Sequence, residues 1–240
     1  MPGLYKDEGI VLKTIKLGEA DRILTIFTRY NGKVRAVAKG VRKTKSRFGG
    51  RLEPFNRVQL LIYRGRNLDT ITGADILDPF KEARTTYERL IAAAALSEMV
   101  EKVTPDRERS FDVYALLLAG LDSLGRAESV DALVPAFCVK LLSLSGYHPQ
   151  LQSCAGCGSH AITGFSPALG GAVCETCWHE DPDALRISPD ALRLLGRLLA
   201  SDFGVAADRD EADELTVVLK RYAEYHLERP LRSLEPSSLR

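Results

Sequence analysis

The sequence predicts an α+β protein that begins with a five-stranded β-barrel and continues into an α-helical domain. Short runs of apolar and β-branched residues before residue 80 show the period of two that is typical of strands. After Pro79 the apolar residues recur at helical spacing, until two Cys-x2-Cys pairs interrupt the pattern. We therefore expect two domains, residues 1–80 and residues 81–240, with a four-cysteine insertion at 150–182.

The predicted strands are short and are joined by recognisable turns. Asn31-Gly32 is the favoured dipeptide of a type I′ hairpin turn, and Gly65 lies in a second candidate turn at 64–67. Five short strands with such turns are typical of a small Greek-key barrel, most often an OB-fold. An SH3-like barrel stays open at this point. The predicted strands are 10–17, 23–30, 33–38, 58–63 and 68–76.

Beyond the barrel we expect packed helices. Ser188-Pro189-Asp190 combines an N-cap, a first-turn proline and an acidic first turn, so a helix should begin there. Ser129 or Asp131 is expected to cap the third helix, Pro230 to end the last one, and the tail 233–240 to fray. The predicted helices are 82–103, 111–124, 130–145, 188–200 and 211–228.

The charge is unevenly distributed, although the formal net charge of the 240 residues is only +1. Residues 1–80 carry 16 Lys and Arg against 8 Asp and Glu, whereas the remainder carries 17 against 24. Residues 22–52 contain ten cationic side chains and no acidic one. Because binding to phosphates depends on local charge, this basic half predicts a nucleic-acid-binding barrel. The alternative is a solvated basic face without a ligand.

Part of this charge alternates with small apolar residues over 33–39, so a strand there would turn its cations to one face. The loop 40–50 adds four more cations and would serve as a flexible arm that wraps a nucleic-acid strand. The predicted contacts are to phosphates rather than to bases. The candidate DNA-binding residues are Lys33, Arg35, Lys39, Arg42, Lys43, Lys45, Arg47 and Arg51.

Four aromatic residues of the barrel have two possible roles. Phe48 is either a ring on which a base stacks or an anchor in the core, and Phe55 is expected in the core. For Tyr30 and Tyr63 we favour half-buried strand residues over stacking platforms.

The two cysteine pairs, Cys154-Ala-Gly-Cys157 and Cys174-Glu-Thr-Cys177, predict a metal site. Sixteen residues separate the pairs, within the spacing of tetrahedral four-cysteine zinc sites. Four protein ligands leave no open coordination position, so one Zn²⁺ ion would stabilise the fold and activate no water. A rubredoxin-like iron site uses the same ligands and stays open. The predicted metal ligands are Cys154, Cys157, Cys174 and Cys177.

Motifs of catalysis are missing, and we expect no catalytic residue. The sequence has no Gly-x4-Gly-Lys-Ser/Thr loop, no His-Glu-x2-His and no Gly-x-Ser-x-Gly turn. A zinc-dependent enzyme would need an open metal position with an acid or base beside it. No run approaches the roughly 18 apolar residues of a membrane span, and residues 1–7 lack a signal-peptide pattern, so we expect a cytoplasmic protein without membrane contact.

A second candidate surface lies on the last predicted helix. Its four basic or titratable side chains could meet an acidic peptide of a partner, against the alternative of a solvated surface. They are Lys220, Arg221, His226 and Arg229.

Several stretches together resemble one bacterial protein family. They are 18–25 (Gly-Glu-Ala-Asp-Arg-Ile-Leu-Thr), 38–43 (Ala-Lys-Gly-Val-Arg-Lys), Ser46, 52–55 (Leu-Glu-Pro-Phe) and 228–233 (Glu-Arg-Pro-Leu-Arg-Ser). Over essentially its whole length the chain is similar to the RecO family of DNA repair and recombination mediators. The four-cysteine insertion resembles that of the zinc-bearing members.

The resemblance implies a fold and a set of partners. It implies an N-terminal OB-fold, a helical domain with a zinc finger, and binding to single-stranded and double-stranded DNA. It also implies annealing of complementary strands and help, together with RecR, in loading RecA onto DNA coated with single-stranded DNA-binding protein, whose acidic C-terminal tail is a further partner. An RNA-binding OB-fold module with a structural zinc site is the alternative function.

Overall fold

The computed structural model describes residues 3–127 and 129–234, and its first part is a closed five-stranded barrel. The strands follow the order β1-β2-β3-β5-β4, and only β3 and β5 run parallel to each other. This confirms the predicted barrel followed by a helical region. The strands are β1 (Leu4–Leu17), β2 (Asp21–Thr28), β3 (Gly32–Ala38), β4 (Arg57–Tyr63) and β5 (Asp69–Asp78).

Strand β1 begins six residues before its predicted start because its N-terminal half pairs with β4. Leu4 faces Tyr63 in that pairing, while Leu17 at the other end faces Asp21 of β2. The register shifts between Val11 and Lys13, so one bent strand belongs to both sides of the barrel. The polar residues at its start hid this half of the strand from the sequence pattern.

The helical region contains six helices and a small three-stranded sheet within the described residues. The helices are α1 (Tyr87–Val103), α2 (Phe111–Arg126), α3 (Leu133–Leu144), α4 (Glu175–Glu180), α5 (Pro189–Ala200) and α6 (Arg209–Leu227). The sheet has the order β7-β6-β8, from β6 (Ile162–Ser166), β7 (Gly171–Cys174) and β8 (Leu185–Arg186). No helix in the described part of the chain is long and apolar enough to cross a membrane.

The side chains at the helix starts explain where several helices begin. Ser188 caps α5 through its hydroxyl, which accepts from the Ala191 amide, as the sequence predicted. The first predicted helix divides into a 3-10 turn, Lys81–Arg84, and α1, whose cap is Thr86. The third begins at Leu133, after Ala132 and without a capping side chain, so the expected caps at 129 and 131 were wrong. The expected fraying of the tail falls, from 235 onward, outside the described residues.

The barrel and the helical region share one hydrophobic core. Ile10, Leu12 and Phe27 lie on the outside of the barrel and belong to the same buried cluster as apolar residues of α1, α2 and α3. Phe27 stacks on Tyr114 of α2 with ring centroids 6.4 Å apart. A second cluster fills the barrel interior, including Leu24, Ile26, Val58 and Ile62. The outer face of β1 and β2 is therefore partly covered, and ligands have access only to the rest.

Lys33 anchors the barrel to the end of α1. Its amine donates to the main-chain oxygens of Glu101, at 2.6 Å, and Thr104, at 2.5 Å, and forms an ion pair of 3.3 Å with Asp106. The residue is only 8% exposed. A cation at this place satisfies carbonyls that the helix leaves without partners and opposes the negative end of its dipole. Because its amine is buried and occupied, Lys33, which the sequence predicted to contact DNA, is not part of the DNA-binding surface that we propose below.

The turn before Lys33 touches the helical region through its backbone. Gly32 has a φ of +63°, and a Cβ added there would lie 2.0 Å from the Glu108 carbonyl oxygen. Beside it, the Arg107 guanidinium pairs at 2.9 Å with Asp69, which is fully buried and also accepts from the Tyr5 hydroxyl at 2.7 Å. Only a glycine allows this approach of turn and loop.

We predict that Gly32→Ala destabilises the protein more than Gly18→Ala. Gly18 also has a positive φ, +59°, but nothing lies within 4 Å of an added Cβ. Gly18→Ala should lower the free energy of unfolding by about 1–2 kcal/mol, because an alanine is strained in the left-handed backbone conformation. Gly32→Ala should lose roughly 1–3 kcal/mol more because the added methyl group is overpacked against Glu108. Urea unfolding measures both, and equal losses would contradict the described contact.

Candidate metal centre and candidate DNA-binding surface

Strand β3 presents its cations as the alternating sequence predicted, except at its buried start. Arg35 is exposed, and Lys39 is exposed just after the strand ends, whereas Val34, Ala36 and Ala38 are fully buried. The exposed row of β3 thus carries two charges about 13 Å apart, at the usual rise of roughly 3.3 Å per residue.

The loop after β3 is a chain of hydrogen-bonded turns and not a free arm. Phe48 and Leu52 are each 1% exposed and lie in the barrel core, which decides between the two roles considered for Phe48. The Arg42 amide donates to the Ala20 carbonyl at 2.9 Å, and the Asn56 side chain donates to the Gly50 carbonyl at 3.0 Å. The cations between these anchors therefore occupy defined positions.

Seven cations form what we call the basic surface. None of them pairs with a carboxylate among the described residues, in contrast to Arg22, which pairs with Glu53, and Arg29, which pairs with Glu8. Arg51 is half-buried and donates to the Arg47 carbonyl at 2.8 Å, so its guanidinium is the most restrained. Members of the basic surface are Arg35, Lys39, Arg42, Lys43, Lys45, Arg47 and Arg51.

The candidate surface on the last helix does not form a cluster of exposed cations. Arg221 pairs with Asp183, and Lys220 lies 3.9 Å from Glu224. The His226 ring stacks on Tyr147 with a centroid distance of 4.5 Å, and burial lowers its pKa. Two of the four side chains thus lie beside carboxylates of their own neighbours, and Arg229 is exposed just after the end of the helix. The role of this surface in binding an acidic peptide stays a prediction.

The four predicted cysteine ligands come together in space. Their sulfur atoms all lie within 4.8 Å of one another, and those of Cys157 and Cys174 are 3.6 Å apart. Neighbouring sulfurs of a tetrahedral zinc site with bonds of about 2.3 Å lie about 3.8 Å apart. The donor set therefore fits one metal ion, and four thiolates would fill its tetrahedral coordination sphere.

Tight turns place the first pair of cysteines. The Cys154 amide donates to the Ser159 carbonyl at 2.7 Å, and the Gly158 amide returns to the Cys154 carbonyl at 2.8 Å. A Cβ at Gly156 would come within 2.9 Å of the Cys177 sulfur. The second pair lies where β7 ends and α4 begins. The sequence signal for the second pair was the spacing alone, because β6, β7 and α4 were not predicted.

The backbone around Cys154 favours a thiolate. Burial opposes ionisation there, but hydrogen bonds from the backbone of Cys174, Cys157 and Gly156 lower the pKa of Cys154 to about 6. The pKa of Cys177 is raised, chiefly by its hydrogen bond with Cys154 and next by burial. Such N–H···S contacts are what a metal-bound thiolate needs to hold its charge.

The cysteine segment is joined to the helices by backbone and ring contacts. Gln150 exchanges backbone hydrogen bonds with the hairpin, accepting from Ala172 at 2.7 Å and donating to Gly170 at 3.0 Å. Phe165 of β6 is fully buried and meets the ring of Tyr222 of α6 edge-on at 5.1 Å. The cysteine cluster is therefore carried by a hairpin that is itself part of the helical core.

Comparison with known proteins gives a consistent result. The family model described as "Recombination protein O N terminal" matches residues 1–80, and the one described as "Recombination protein O C terminal" matches 84–235. The chain is 44% identical to a protein named "DNA repair protein RecO" from Nocardioides sp. strain JS614, over 96% of this chain and 98% of the relative. Relatives of the same name from Bifidobacterium longum subsp. infantis and Streptomyces coelicolor are 44% and 42% identical, each covering 96% of this chain and 97% of the relative.

We predict that Cys157→Ser abolishes stoichiometric zinc binding and lowers the melting temperature. A site with three thiolates binds zinc more weakly, and the protein then lacks the stabilisation that metal binding contributes to the folded state. Cys138→Ala is the matched control, since Cys138 is a buried thiol of α3 outside the cluster. Metal analysis of the purified proteins, with thermal unfolding before and after chelation, measures the effect. Retention of full zinc content with unchanged melting would refute the assignment.

Proposed function

This chain belongs to the RecO family, and we propose that it acts in recombinational DNA repair as a non-enzymatic DNA-binding protein that anneals complementary strands. Both family domains match in their expected order along the chain. The observation that supports DNA binding most directly is the basic surface of the barrel, whose seven cations have no carboxylate partner among the described residues.

The proposed binding mode is phosphate neutralisation. Lysine and arginine release the counterions condensed on a nucleic-acid backbone, and this contribution is independent of sequence. Arg35 on β3 and Lys39 directly after the strand provide an exposed row, and Arg42, Lys43 and Arg47 follow in the hydrogen-bonded turns of the next loop. Since phosphates are present in single strands and duplexes alike, such a surface supports binding to both.

Annealing follows from the same electrostatics. Two complementary strands repel each other through their phosphates, and a protein surface that neutralises part of both charges lowers this repulsion. Bases then pair without any covalent step, so the protein needs no catalytic residue. Seven cations in one surface are enough for contacts with more than one strand segment.

The cysteine cluster has a structural part in this proposal. We assign one Zn²⁺ ion to Cys154, Cys157, Cys174 and Cys177, whose sulfur atoms converge within 4.8 Å. A closed sphere of four thiolates offers no position for a substrate, so the ion would hold the hairpin in the helical core.

The proposed partners come from family membership and not from the geometry of this chain. With RecR, the protein would help to load RecA onto DNA covered by single-stranded DNA-binding protein, whose acidic C-terminal tail would be a further contact. Because its substrate is DNA, we place its action at the nucleoid in the cytoplasm.

We predict that Arg35→Ala/Lys39→Ala weakens DNA binding and slows annealing at low salt by at least about tenfold, because two phosphate contacts are lost. The salt dependence should become shallower as well, by roughly 0.7 in log–log slope for each lost contact on single strands. Fluorescence anisotropy and annealing of labelled complementary oligonucleotides, both across a salt series, provide the two measurements.

The control variant is Arg193→Ala/Arg197→Ala, which removes the same charge from exposed positions of α5, a helix of the C-terminal domain. It should keep wild-type affinity, slope and annealing rate. A wild-type protein that binds with a flat salt response, or that folds but fails to anneal, would contradict the proposal. In the second case a simpler nucleic-acid-binding module would describe the protein.

A further inference from the structure

Two half-exposed aromatic rings lie side by side at the boundary between the barrel and the helical region. We call this boundary the seam. Tyr30, in the turn between β2 and β3, is 52% exposed, and Phe111, the first residue of α2, is 46% exposed. Their centroids are 6.0 Å apart and their planes nearly perpendicular. Guanidinium groups lie over both rings, Arg29 at 5.4 Å from the Tyr30 centroid and Arg109 at 4.9 Å from that of Phe111.

The backbone holds both rings in place. The Tyr30 amide donates to the carboxylate of the buried Asp7 at 3.2 Å, and the Asn31 side chain donates to the same group at 2.7 Å. On the other side of the seam, the Ser110 hydroxyl caps α2 directly before Phe111. Packing of the two rings against each other leaves about half of each residue in solvent.

The rings lie at the end of the exposed row of β3. From Lys39 through Arg35, the next residue on this outer row is Lys33, which is covered by the segment that contains Asp106 and Arg107. That segment leads within four residues to Phe111, and the turn before β3 carries Tyr30. Tyr30 and the segment that leads to Phe111 therefore lie beyond Lys33, at the end of the row that is opposite to the loop.

We propose that Tyr30 and Phe111 form a stacking site for unpaired bases of single-stranded DNA, which continues the basic surface across the seam to the helical domain. The inference rests on the proposed function, since it extends the path of the same strand. Aromatic faces accept any base, so the site carries no sequence preference. Rigidly held rings also lose little conformational freedom when a base stacks on them.

The charges at the seam favour bases over phosphates as the bound groups. Arg29 is paired with Glu8, and Arg107 with Asp69. Exposed Glu108 and Asp112 flank Arg109 in the sequence, and the guanidinium of Arg64 donates to the Asn31 side chain at 3.0 Å, so these two anionic groups face two cationic ones. The seam is therefore nearly neutral, in contrast to the basic surface. Base contacts are accessible only in single strands, because the faces of bases in a duplex are already stacked on their neighbours.

The test compares oligo-dT, a strand of the same length without bases, and a blunt duplex, by fluorescence anisotropy with the full-length protein. Tyr30→Ala and Phe111→Ala should each weaken oligo-dT binding roughly 5- to 150-fold, which corresponds to about 1–3 kcal/mol per stacked base. Affinity for the base-free strand and for the duplex should change less than about twofold, and the salt slope should stay at the wild-type value because no phosphate contact is lost.

Two kinds of control separate stacking from folding. Tyr87→Ala removes an equally exposed ring from the start of α1, about 25 Å along that helix from the Lys33 contact, and should leave all three affinities unchanged. Tyr30→Phe and Phe111→Tyr keep the rings and should keep wild-type preference for oligo-dT over the base-free strand. Since this preference is a ratio within one protein, a loss of folded protein does not imitate its disappearance.

The outcomes distinguish this inference from the proposed function. If Tyr30→Ala and Phe111→Ala keep the wild-type preference for oligo-dT while Arg35→Ala/Lys39→Ala weakens every substrate, the stacking site is refuted and the basic surface stands. If the arginine and lysine variant binds all three substrates like the wild type, the proposed DNA-binding surface itself is refuted. Equal weakening of oligo-dT and duplex by the ring variants would assign the rings to the interdomain contact alone.

Discussion

The contact between Lys33 and the C-terminal end of α1 sets the relation between the barrel and the helical region. A buried amine is stable only when its hydrogen-bonding capacity is used, and here two carbonyls and the Asp106 carboxylate accept from it. The same contact gives hydrogen-bond donors to carbonyls at the end of α1 that have no partner within the helix. The close approach at Gly32 and the ion pair of Arg107 with Asp69 depend on the same orientation of the two domains.

This orientation decides which cations can meet a ligand. Lys33 is used in the interface, and Arg22 and Arg29 are paired with carboxylates. The remaining charge of the window 22–52 lies on the exposed part of β3 and on turns that are pinned by Phe48 and Leu52. A rigid cationic surface loses less entropy on binding than a flexible arm would, so anchoring the loop favours the proposed DNA contact.

The segment around the cysteine cluster has only a small hydrophobic core of its own. The buried residues around it are few, mainly the cysteines themselves and Val173, so packing alone contributes little to their arrangement. Convergent thiols, one of them made acidic by backbone N–H groups, are a suitable place for a cation that cross-links the hairpin. The hairpin joins the helical core through Phe165 and Tyr222, so a metal ion bound by the cysteines would also stabilise the packing of α6.

Local patterns in the sequence determined the five barrel strands, most helix positions, the grouping of the four cysteines and the alternation of Arg35 and Lys39 with buried neighbours. Each of these depends on spacing along the chain, which is visible without coordinates. The burial of Lys33, the core position of Phe48, the pairing of β1 with two partners and the meeting of Tyr30 with Phe111 were decided by the tertiary structure. They depend on which distant segments come into contact. The local sequence around a lysine or a tyrosine does not show whether a distant helix end covers the residue or leaves it exposed to solvent.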